Sequence, residues 1–122
     1  MTVTMPPNHS CSRGNVVLVL FPNSDLKSAK TRPAVVVQAD DLDTGVAQVI
    51  VAMVSSRMFR AGHASRVAIT IASPVGRDSG LLGDSVVMTD NVATIALAAV
   101  DRVIGSIPMS EIDRALRHTF SL

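Results

Sequence analysis

The chain has 122 residues, 48% of them apolar and 17% charged, with a formal net charge of +1. That is enough material for one compact core and no second one, and so small a net charge does not by itself mark a strong nucleic-acid binder. No stretch reaches the roughly 20 uninterrupted apolar residues of a membrane helix, and the opening MTVTMPPNHSCSRG lacks a charged region followed by an apolar one. The expectation is a cytoplasmic protein that does not enter a membrane.

Residues 1–12, rich in Pro, Ser and Asn, read as a flexible leader, with 13–122 forming a single domain. Cys11, the single cysteine, falls in that leader, where a mobile tail is expected; alone it makes neither an internal disulfide nor a thiolate cluster. The runs NVVLVLFP, PAVVVQ and AQVIVAMVSS are short, Val-rich and bounded by Gly, Pro and Asn, and each reads as a strand. Arg32 stands before Pro33, which pushes it toward extended geometry, so its guanidinium is presented at the mouth of the second strand. Between the second and third strands, DDLDTG reads as a β-turn; it has too few ligands, wrongly spaced, for a calcium loop.

SRVAITIAS alternates, with Val67, Ile69 and Ile71 on one side and Ala68, Thr70 and Ala72 on the other, as a half-buried strand does. GLLGDS lacks the pattern of a phosphate-cradling loop and reads as a turn, and GDSVVMTDNVATI is a further extended segment. Only the end of the chain reads as helical: Ser110 is the expected N-cap with Asp113 three residues on, and Ile112, Ala115, Leu116, Thr119 and Phe120 share one stripe. Several short strands without crossover helices favour an antiparallel sheet curled into a small barrel, closed by one C-terminal helix.

The charges are unevenly placed. No acidic residue occurs between Asp43 and Asp78, a window holding Arg57, Arg60, His63, Arg66 and Arg77, while Lys27, Lys30 and Arg32 lie just upstream beside Asp25. The cations can gather as a phosphate-binding groove or stand as an ordinary solvated face. His9, His63 and His118 show no metal-ligand spacing, and no Ser-His-Asp arrangement can be defended, so no metal or cofactor is expected. With no Trp or Tyr and Phe59 the one aromatic among those cations, any RNA binding must rest on backbone charge and polar edges rather than stacking.

Taken in order, RGNVVLVLFP, KTRPAVVVQAD, VIVAMVSSRM, GDSVVMTDNVATI and IGSIPMSEIDRAL resemble the successive blocks of the PemK/MazF family of toxin endoribonucleases, from about Arg13 to Phe120. The resemblance implies an SH3-like barrel with a C-terminal helix, assembled as a homodimer. It also implies the toxin of a type II toxin–antitoxin system: an endoribonuclease that cuts single-stranded RNA without a metal, leaves a 2′,3′-cyclic phosphate, inhibits growth, and is silenced by a cognate antitoxin. Carried over by position, Arg32 is the catalytic arginine, and Ser55 stands where the family has a catalytic threonine. Lys27, Lys30, Arg57, Asp90, Asn91 and Thr94 become candidate RNA contacts, and His63 a candidate acid or base. Ala93 and Ala96 stand where the family usually has arginine and aspartate. Those departures leave an alternative, a family-fold protein with little nuclease activity that binds RNA or a partner protein.

Overall fold

The computed structural model describes residues 11–22, 25 and 27–122; the expected leader lies outside the described residues as far as residue 10. Six strands form one sheet: β1 (Asn15–Pro22), β2 (Ala29–Val36), β3 (Gln48–Ser55), β4 (Arg66–Ile69), β5 (Ser85–Ala96) and β6 (Val100–Ser106). Two helices accompany them, α1 (Pro74–Ser79) and α2 (Ser110–Phe120). The strand order is β4-β5-β3-β2-β1-β6 and every pairing is antiparallel.

The β-rich architecture matches the sequence reading, but the sheet does not close on itself. β4 and β6 are its two edges and do not pair. The short helix α1, which the periodicity did not reveal, stands against β6 instead, where a Cβ on Gly105 would come within 2.4 Å of the Ser79 carbonyl and one on Gly80 within 2.0 Å of the Ile104 carbonyl. Its signals are local. Ser73 caps it by accepting from the Gly76 N–H at 3.0 Å, Pro74 opens its first turn, and Gly80 ends it with φ of +73°. The strand read through SRVAITIAS consequently stops at Ile69, with Val67 and Ile69 buried and Ala68 exposed.

β5 reaches two neighbours by bending. Its register against β3 jumps between Ala52–Val92 and Met53–Met88, leaving residues 89–91 unopposed, while Arg66–Ile69 pair along its first half. Thr89, buried at this bend, donates to the Ser65 carbonyl at 2.6 Å. A bulge of this kind increases the local twist and turns a flat strand into a corner.

Apolar side chains pack on both faces of the sheet. Val16, Val35, Ala52, Val54, Val87, Ile112 and Ala115 belong to one cluster, which α2 covers; Val17, Val19, Ala34, Val36, Val51 and Val100 belong to the other. The period-2 alternation Val16/Val17 and Val35/Val36 across the two clusters is what continuous apolar runs in β1 and β2 require. Cys11, expected on a mobile tail, is half-buried against the second cluster, and that burial raises its thiol pKa.

α2 begins one residue away from the expected cap. Met109 is its N-cap, Ser110 its first helical residue, and Asp113 pairs with Arg13 rather than closing a capping box. The stripe is real over Ile112, Ala115 and Leu116, and Thr119 hydrogen-bonds Thr89 at 2.7 Å; Phe120 at the end is half exposed. β6 was not anticipated from VDRVIGS, whose alternation is broken by two register shifts against β1. No helix among the described residues is long and apolar enough to cross a membrane.

Candidate nucleic-acid cleft

Pro33 shapes the site. The β2–β3 ladder runs through Val36–Val51 and Val35–Ala52 and ends at Ala34–Met53, one residue short of the proline, which has no N–H to donate. Continued in the same register, Pro33 would oppose Val54, and Arg32 would oppose Ser55. Beyond the last pair a cleft of about 790 Å³ opens, lined by these four residues together with parts of β1, β5, β6 and the loop after α1.

Leu18, Pro33, Val54, Leu81 and Ile104 supply its apolar surface; Lys30, Arg32, Arg57, Arg60 and Arg102 bring five cations to it; Ser55, Ser56 and Asn91 add polar edges. Among the described residues that line it, Asp84 is the one acid, and its carboxylate accepts from the Ile71 N–H at 2.8 Å. The three ion pairs among the described residues, Arg13–Asp113, Arg66–Asp90 and Arg114–Glu111, use none of these five cations. Positive charge held without internal neutralisation beside apolar walls attracts a polyanion.

Local contacts fix the rim. The Ser55 hydroxyl oxygen accepts from the Arg57 N–H at 3.1 Å, tying the serine to the turn that carries Arg57. Arg60 ends the 3₁₀ turn Met58–Arg60, where its guanidinium lies 5.8 Å from the Phe59 ring centroid and its Nη1 lies 3.6 Å from the Met88 sulfur. Phe59 itself is 78% exposed beside the cleft's Arg57 and Arg60.

Of the residues expected from the sequence, Arg32, Ser55, Lys30, Arg57 and Asn91 meet in this cleft. Lys27, Asp90, Thr94 and His63 are not among its lining residues. Lys27 is exposed, and its N–H donates to Asp25 at 2.9 Å; Thr94 is exposed on β5 opposite Ile50. Asp90 accepts from Arg66 at 2.9 Å, and that hydrogen bond holds its carboxyl below the usual carboxylate range while raising the arginine. His63 stacks edge-on with His118, ring centroids 6.1 Å apart, and its Nδ1 accepts from the Ser65 N–H at 3.0 Å. Ala93 and Ala96 oppose Val51 and Gln48 in the β3–β5 ladder.

Arg102, Asp84 and the Gly80–Gly83 loop also line the cleft, without any local sequence signal that marks them. Their positions depend on α1 and β6, neither of which carries a regular sequence pattern. Among the described residues no three His, Cys, Asp or Glu side chains gather around a point where an ion could sit.

Comparison with known proteins bears on the fold and the family. No curated protein sequence matches the chain. Among solved structures, an endoribonuclease in complex with its cognate antitoxin from a mycobacterial species superposes with a TM-score of 0.68 at 20% identity, covering 92% of this chain and 96% of that one. The Mycobacterium tuberculosis toxin MazF-mt6 gives 0.67 at 23% identity over 88% and 97%, and a MazE–MazF structure from Deinococcus radiodurans 0.69 at 16% over 93% and 98%. At these identities the structures establish the fold. The family model for PemK-like, MazF-like toxins of type II toxin–antitoxin systems matches residues 12–120, and the chain belongs to that family.

Proposed function

We propose that this protein is an endoribonuclease toxin that cleaves single-stranded RNA at short sequences, leaves a 2′,3′-cyclic phosphate without the aid of a metal ion, and thereby inhibits growth. The observation that carries the reading is the convergence of Arg32 and Ser55 on one cleft with four further cations. Cyclisation requires the 2′-hydroxyl to lose a proton, charge on the pentacoordinate phosphate to be stabilised, and the leaving 5′-oxygen to gain a proton. Arg32 meets the second need: a guanidinium forks onto two phosphate oxygens and stays charged at every working pH. Ser55, oriented by the Arg57 N–H, directs its hydroxyl at the phosphate or the attacking oxygen. Lys30, Arg57 and Asn91 hold the flanking strand. Lys27, Asp90, Thr94 and His63 belong to any longer RNA path outside the cleft, and His63 there is a candidate for proton transfer.

The same reading makes the protein a cytoplasmic homodimer restrained by a cognate antitoxin; the solved mycobacterial relative described as a complex with its cognate antitoxin supports that partnership. The test is incubation of the purified protein with a long single-stranded RNA in excess EDTA, beside Arg32→Ala. Cleavage by the wild type alone, with cyclic phosphate at the new 3′ ends, is expected. No cleavage together with retained RNA binding would establish instead a family-fold binding protein, the reading that Ala93 and Ala96 favour.

A further inference from the structure

We propose that Arg102 is a second phosphate anchor of this cleft, holding the RNA backbone beside the phosphate that Arg32 clamps. The inference deepens the endoribonuclease reading and rests on it. Three observations carry it. Pro33, Leu18 and Arg102 are successive partners across β2, β1 and β6, and Arg32 stands one position before Pro33 on the alternate face; both arginines nevertheless line the one cleft. Adjacent strands lie about 4.8 Å apart, which puts the backbones bearing Arg32 and Arg102 on the order of 10 Å from each other. Long arginine side chains leaning toward a shared cleft from that separation suit two neighbouring phosphates rather than one.

The second observation is the local irregularity. The β1–β6 register shifts on both sides of the Leu18–Arg102 pair, leaving Asp101 and Ile104 without opposing residues. Bulges re-aim side chains and concentrate beside functional sites; here they flank the one cationic residue of β6. The third is electrostatic. Arg102 is exposed, lines the cleft, and makes no ion pair with any described residue, Asp101 beside it included. An arginine kept on a strand without a carboxylate partner leaves its five N–H donors for a ligand, and a phosphodiester is the group its fork fits.

RNA binding is measured by filter titration in the Arg32→Ala background, so that cleavage does not interfere, with and without Arg102→Ala, across a range of salt concentrations. Arg117→Ala, an exposed cation on α2 outside the cleft, controls for net charge. Loss of the anchor is expected to weaken binding about tenfold, the size of one charge-assisted contact, and to lower the slope of log affinity on log salt by about 0.7. In the otherwise wild-type enzyme, Arg102→Ala should raise KM with kcat unchanged, and Arg102→Lys should restore the slope. Thermal unfolding of each variant checks that the fold is intact. If Arg102→Ala behaves like Arg117→Ala in slope and KM while the wild type still cleaves, the anchor is wrong and the endoribonuclease reading stands. If the wild type neither binds nor cleaves RNA, both fall.

Discussion

Arg32 and Ser55 line one cleft from neighbouring strands, each two places beyond Ala34–Met53, the last pair of the β2–β3 ladder. The ladder stops where Pro33 withholds a donor, and the two side chains line the cleft beyond its last pair. Aim comes from rigid strands on either side rather than from a loop. Replacing Arg32 by lysine keeps the charge and removes the bidentate fork. Cleavage by Arg32→Lys should therefore fall by about 10²–10³-fold, the loss typical of one stabilising donor at a developing oxyanion. Single-turnover assays read this directly, and near-normal cleavage by the lysine variant would reduce Arg32 to a point charge.

Ser55 offers a test in both directions. Its hydroxyl accepts the Arg57 N–H and retains one proton to donate. Ser55→Ala should slow cleavage by about 10²-fold and loosen the turn before Arg57. Ser55→Thr should match or exceed the wild type, since the added methyl restricts χ1 and holds the hydroxyl in fewer orientations. A threonine variant as slow as alanine would mean that the half-buried site has no room for the methyl, and that serine here is required by packing.

The strands β1, β2, β3 and β5 were legible because each carries its own period-2 or continuous apolar pattern. Arg32 was legible because Pro33 acts within a single peptide unit. What escaped was non-local. Neither α1, a single six-residue helix, nor β6, interrupted by two bulges, has enough regular pattern to declare itself, yet β6 and the loop that follows α1 line one side of the cleft. Asp90 shows the opposite failure: nothing in TDNVATI says that its carboxylate will be claimed by Arg66, 24 residues away. The open edge between β4 and β6 has the same origin, because a sequence read for strands has no means of telling a closing pair from a closing helix.

The Arg66–Asp90 pair predicts an acid limb. Asp90 titrates below its ordinary range, chiefly through the Arg66 hydrogen bond, with burial opposing. A carboxyl lowered on folding stabilises the native state above its unfolded pKa of about 3.9, and that contribution fades as pH falls through the lower folded value. Arg66, raised from an already high pKa, stays charged throughout and adds no pH dependence in the accessible range. Asp90→Asn should thus unfold a few degrees below the wild type near neutral pH, with the gap narrowing as pH drops below about 4. A gap independent of pH would assign the loss to packing.

Gly105 is where the C-terminal end of α1 meets β6. A Cβ there would lie 2.4 Å from the Asp78 and Ser79 carbonyl oxygens, backbone atoms that cannot rotate aside. Gly105→Ala must therefore push α1 off the sheet edge, at a cost of about 1–3 kcal/mol or more, and lower the melting temperature by several degrees. Because Gly80, Leu81, Leu82 and Gly83 follow α1 directly and line the cleft, the same shift should raise KM for RNA, although residue 105 itself is not a lining residue. Gly83→Ala is the matched control: it meets nothing within 4 Å, and its stability should stay within about 0.5 kcal/mol of the wild type. Thermal unfolding of both variants, followed by KM measurement on those that remain folded, separates the α1 contact from the loop. Equal stability of the two would show that α1 yields without cost and does not hold the cleft's shape.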